Sequence, residues 1–115
     1  MRILNFGSLN IDDVYTVEHF VRPGETESPI SYEQFPGGKG LNQSIALARA
    51  GAEVYHAGLV GADGLFLSDL LISSGVRTEF LMRQNAPNGR AIIQVDPSGQ
   101  NCIILYGGTN RQVTQ

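Results

Sequence analysis

The chain opens with apolar residues at Ile3, Leu4 and Phe6 and stops at Gly7-Ser8, the pattern of a short buried strand feeding a loop. Over residues 14–35 the pattern becomes alternating. Tyr15, Val17, His19 and Val21 interleave with Thr16, Glu18 and Phe20, Pro23-Gly24 turns the chain, and Ile30, Tyr32 and Gln34 interleave with Ser31, Glu33 and Phe35. A period of two predicts two half-exposed antiparallel strands. From Leu41 the period lengthens: Leu41, Ile45 and Ala48 recur at helical spacing among good helix formers, and Gly51 closes the segment as a C-terminal glycine does. Residues 53–60 read as a second buried strand, 61–64 as a turn, 65–74 as a second helix carrying Phe66, Leu67, Leu70 and Leu71, and 78–83 as a third core strand. Two apolar runs, 91–95 and 102–106, flank a connection containing Pro97 and Gly99, which predicts a hairpin. Strand, helix, strand, helix implies a parallel α/β core. The two antiparallel segments, 14–35 and 90–106, interrupt that core and are expected to pair as a small separate sheet.

Composition narrows the function classes. At 115 residues the chain holds one domain. Eight Lys and Arg against eleven Asp and Glu give a net charge of −3, with no basic run, which argues against a nucleic-acid backbone or an anionic membrane surface as partner. The first residues lack the pattern of a signal sequence and no stretch is long and apolar enough to span a bilayer, so a cytoplasmic protein is expected. The single cysteine, Cys102, cannot form an intrachain disulfide; its apolar surroundings predict a buried, inert thiol. Thr114 is a candidate N-cap, so a further helix is expected to begin where the sequence stops.

The most informative chemistry is Gly37-Gly38-Lys39-Gly40 at the start of the first helix. Glycines let backbone approach a ligand closely, and free N–H groups at a helix start suit oxygen-rich groups; a purely structural turn is the other reading. The Walker phosphate loop does not fit, because Gly40 follows Lys39, and the dinucleotide fingerprint fails where Gln43 replaces its third glycine. Asn10 and Asp12 follow the first strand, at the end where open α/β sheets bind ligands. A carboxylate and a carboxamide two residues apart can grip neighbouring hydroxyls, or can make Asx turns. Asp13 reads as solvated. Asn42 on the first helical turn suits either a cap or a ligand contact, and Lys39 either contacts substrate or extends to solvent. His19 and His56 have no metal-ligand spacing and read as strand or core histidines, so no metal site is assigned.

Taken together, Gly7-Ser8-Leu9-Asn10-Ile11-Asp12, Pro23-Gly24-Glu25-Thr26, Gly37-Gly38-Lys39-Gly40-Leu41-Asn42-Gln43-Ser44 with Ala48-Arg49-Ala50-Gly51-Ala52, and Gly58-Leu59-Val60-Gly61-Ala62-Asp63-Gly64 resemble the N-terminal part of the ribokinase-like (PfkB) carbohydrate kinase family, in family order. The resemblance implies a Rossmann-like α/β sandwich with a β-sheet lid, and transfer of the ATP γ-phosphoryl to a sugar hydroxyl, with Mg2+. It implies that Asn10 and Asp12 bond sugar hydroxyls, that Gly38, Lys39 and Asn42 close around the same sugar, and that the lids meet in a homodimer, with Ile93 or Ile104 facing the partner. Gly107-Gly108-Thr109-Asn110 resembles the segment by which the lid returns to the core. Phe66 departs from a glycine common in the family. The family's catalytic Asp lies in a Gly-x-Gly-Asp motif that does not occur here, so the resemblance supplies no catalytic residue and no ATP or Mg2+ site within residues 1–115. Because phosphoryl transfer depends on positioning and charge stabilisation, the expectation is a sugar-binding part that is inactive alone. The alternative is a non-catalytic sugar-binding or lid-mediated dimerisation module.

Overall fold

The computed structural model describes residues 2–112. Strand β1 covers Arg2–Phe6, β2 Asn10–Thr16, β3 Ser31–Gly37, helix α1 Lys39–Arg49, β4 Glu53–Val60, α2 Leu65–Ser73, β5 Leu81–Arg83, β6 Arg90–Val95 and β7 Asn101–Tyr106, and a short 3₁₀ helix, Gly108–Gln112, follows. Strands β1, β4 and β5 form a parallel sheet in the order β1-β4-β5. The other four strands form a second sheet in the order β3-β2-β6-β7. The two segments expected to pair do share this sheet, with β2 antiparallel to β3 and parallel to β6, and β6–β7 as the hairpin.

The helices follow from their sequence. Helix α1 places Leu41 and Ser44 in the interior and packs Ile45 and Ala48 against the core. It ends at Gly51, whose φ of 97° is the left-handed conformation that terminates a helix. Helix α2 buries Leu67 and Leu71. Together with Leu9, Ile11, Val54, Val60 and Val76 these residues form one core, in which helix packing covers one face of the parallel sheet. The other face is left open by the described residues: Leu4, Phe6 and Met82 are each more than 60% exposed.

Several expectations are corrected. Strand β1 is not buried, because none of the described residues covers the face carrying Leu4 and Phe6. Strand β2 starts at Asn10 and ends at Thr16 instead of running through residues 14–21. Residues 17–30 form an irregular strap held at a few points, Val17 N–H to Val95 O (2.9 Å), Val21 N–H to Gln94 Oε1 (3.0 Å) and Ile30 N–H to Thr16 O (2.7 Å); Pro23 and Pro29 could not donate to a ladder. His19 therefore lies in this strap and not in a strand, while His56 is a core histidine of β4. Cys102 is exposed, because β7 is an edge strand exposed along its whole length. Thr114 lies outside the described residues.

Candidate functional site

The site is assembled where the two sheets meet. The turn Gly7–Leu9 carries the chain from β1 into β2, and the N-terminus of α1 packs on that turn: Leu41 N–H donates to Ser8 O at 3.1 Å. The approach is so close that two glycines are required. A Cβ at Gly40 would sit 2.5 Å from the Gly7 carbonyl carbon, and Gly38, with φ 98°, would place one 2.8 Å from Ser8 O and 3.2 Å from the Asn10 nitrogen. The Gly-rich turn is thus filled by the protein's own backbone. This geometry does not fit a triphosphate cradle, and the Asp12 carboxylate beside Gly37 would repel one.

Asn10 and Asp12 are strand residues, correcting their expected place in a loop. In a strand, alternate residues share a face, so both project to the same side of β2. The ladder places Gly37 opposite Asn10 and Phe35 opposite Asp12. The structure thereby brings Asn10, Asp12 and Gly38 together. Burial, and secondarily the charge of Asp13, push the Asp12 carboxyl above the ordinary carboxylate range. Among the described residues no hydrogen bond reaches the Asp12 carboxylate, whereas Asn10 Oδ1 accepts one from Asn110 Nδ2 (2.6 Å). Asn42 and Lys39 lie exposed on the first turn of α1. Helix α1 has no side-chain cap, so Asn42 does not cap it.

Asp13, on the opposite face of β2, is buried and not solvated. It accepts from Tyr32 Oη (2.7 Å), Gln34 Nε2 (3.0 Å) and Arg90 Nη1 (3.0 Å), and Arg90 continues through Nη2 to Asp63. One guanidinium thus ties the four-stranded sheet to the turn before α2. Two further groups hold the loops. Asn88 is buried, donating to Leu9 O (2.8 Å) and accepting from Gly61 N–H (2.9 Å). His56 Nε2 donates to Gly7 O (3.1 Å), which fixes the tautomer, so Nδ1 accepts from Ser44 Oγ (2.7 Å); burial lowers its pKa. Sequence reasoning missed these partners because they are 12 to 79 residues apart; only the alternation placing Asp13 with Ile11 signalled which face Asp13 takes. Away from the site, His19, Glu25 and Glu27 converge in the strap, with His19 Nε2 at 2.8 Å from Glu25 Oε1, a grouping with metal-capable donors that spacing did not signal.

A parallel α/β layer carrying a four-stranded β lid, with an Asn-x-Asp strand face set against a glycine-rich helix start, defines the ribokinase-like fold. Residues 2–115 match the family described as pfkB family carbohydrate kinase, and the chain belongs to that family. It is 36% identical to a ribokinase of Staphylococcus aureus over 98% of this chain and 38% of that relative. Among solved structures it is similar to a ribokinase of Cryptococcus neoformans in complex with ADP, with a TM-score of 0.89, 43% identity and coverage of 94% of this chain and 35% of that one. It is also similar to an Arabidopsis thaliana ribokinase complexed with ribose and ATP, with a TM-score of 0.86, 32% identity and coverage of 95% and 36%. The chain therefore spans less than two-fifths of the length of these relatives.

Proposed function

We propose that this chain is the sugar-binding part of an ATP-dependent sugar kinase, with ribose as the first substrate to test. The observation that carries the reading is the Asn10–Asp12 face of β2: an amide and a carboxylate without a hydrogen-bond partner among the described residues, side by side beside Gly38 at the start of α1. In this reading the carboxylate accepts from two hydroxyls, and Lys39 and Asn42, exposed on the first turn of α1, close around the same sugar. Ribokinase relatives, one of them holding ribose and ATP, support the substrate class.

The γ-phosphoryl of ATP would pass to a sugar hydroxyl held by these residues, and the nucleotide with Mg2+ would supply the phosphoryl group and its charge neutralisation. The glycine-rich turn does not fit that group, and the ribokinase relatives extend well beyond the part matched here. A homodimer would form through the lid face that carries Phe35, Ile103 and Leu105, exposed by 44%, 49% and 73%. Ile93 lies opposite Ile103 on that face, whereas Ile104 lies opposite Ile92 on the other, so Ile93 and Ile104 do not meet one partner together.

The test is ADP release from ATP by the complete protein carrying this chain, with ribose, other pentoses, ketohexoses and nucleosides as acceptors. Sugar-dependent turnover, with ribose preferred, is expected. Turnover with none of them would refute the assignment.

A further inference from the structure

Asn110 lies on the 3₁₀ helix after the lid, and its amide is bound at both ends by groups that cannot change role. Its Oδ1 accepts the Leu9 N–H (3.0 Å), and its Nδ2 donates to the Leu9 carbonyl (3.2 Å). A backbone N–H only donates and a backbone carbonyl only accepts, so this amide has one orientation. The same Nδ2 donates to Asn10 Oδ1 at 2.6 Å. Turning Asn10 over would set one NH2 against another. Asn10 is therefore fixed with its carbonyl oxygen on Asn110, and its NH2, which no hydrogen bond among the described residues engages, is left for a ligand. Two residues along the same strand face, Asp12 offers only acceptors when ionised.

We infer that Asn110 is a positioning residue for sugar recognition: it fixes the Asn10 amide as a pure donor beside the Asp12 acceptor. A hydroxyl at Asn10 must then accept a hydrogen bond, while hydroxyls at Asp12 must donate. A pair of neighbouring sugar hydroxyls meets both demands at once. The inference rests on the sugar-kinase reading above.

The test is a double-mutant cycle in the complete protein, reading sugar KM, ATP KM and kcat. Asn10→Ala and Asn110→Ala are each expected to raise sugar KM by about five- to tenfold, the scale of one neutral hydrogen bond, with ATP KM unchanged. In the Asn10→Ala background, Asn110→Ala should add little further. Equal effects of Asn110→Ala in both backgrounds, or none in either, would overturn the inference, because a residue that only supports Leu9 acts regardless of the side chain at position 10. Asn10→Asp gives an independent check that does not alter Asn110. An aspartate there still accepts from Asn110 and keeps the fold, yet presents an acceptor to the sugar. A sugar KM raised at least as far as in Asn10→Ala, at unchanged Tm, is expected, and full retention of sugar affinity would overturn the donor requirement. Sugar turnover with an additive cycle defeats the role of Asn110 alone; absence of turnover with every sugar defeats the functional reading and this inference with it.

Discussion

Two neighbouring carboxylates on one strand have opposite situations. Asp12 has no hydrogen-bond donor among the described residues, and burial raises its pKa. Sugar binding that needs the carboxylate should therefore weaken on acidification at a pH above the ordinary carboxylate range. In Asp12→Asn the sugar KM should be high and lose this dependence, which a KM-against-pH series checks. Asp13 points the other way, into Tyr32, Gln34 and Arg90. Removing it leaves a guanidinium that is only 23% exposed with Asp63 as its remaining partner, so Asp13→Ala should destabilise by about 2 kcal/mol in denaturant unfolding. A loss below about 0.5 kcal/mol would indicate that the cluster is only a surface pair. The sequence carried the Asn-x-Asp motif plainly. It carried nothing to distinguish Asp12 from Asp13 except strand phase, and the position of Arg90, 77 residues on, depends on the β2–β6 pairing.

At the scale of elements, the junction of β1, α1 and β4 is held by polar groups within an otherwise apolar core. Asn5 donates to Gly40 O and to Ser44 Oγ, both at 2.9 Å, and His56 joins Ser44 to Gly7 O. Folding lowers the His56 pKa, so the unfolded chain binds more protons in the ordinary histidine range. The contribution is intact above that range and is lost as pH falls below about 6.5 toward the folded value. Tm should drop between neutral pH and about pH 5, with a smaller drop in His56→Gln, as thermal melts in matched buffers would reveal. The elements themselves were legible: both helices, their glycine stops and the β6–β7 hairpin follow from periodicity and turn residues. Residues 17–21 were not, because alternation describes a pattern of exposure that an irregular strap over a sheet also produces. The exposure of Cys102 was hidden for a related reason: an apolar run does not reveal that its strand lies at an edge.

At the scale of the whole molecule, the parallel sheet has helices on one face only among the described residues. Parallel sheets are stable with both faces covered, yet Leu4, Phe6, Phe80 and Met82 are each more than half exposed. The chain expressed alone should bind a hydrophobic dye and self-associate with concentration in sedimentation. A dye-silent monomer with a sharp thermal transition would contradict this. The family's lid and α/β layer were readable from motif order, because those motifs are the backbone crossings that build the junction: Gly38 and Gly40 are there to let α1 meet the Gly7–Ser8 turn. The polar scaffold of Asn88, Asn110 and Arg90 was not readable, since each acts on a residue far away in sequence.

The central claim is that the Asn10–Asp12 face holds the sugar of a sugar kinase. Its most direct test is the sugar KM of the complete protein with Asp12→Ala, measured beside the ATP KM. Charged hydrogen bonds to hydroxyls contribute roughly 1.5–3 kcal/mol each, so the sugar KM should rise by at least about tenfold while the ATP KM stays fixed. An unchanged sugar KM across a panel of pentoses would contradict the account.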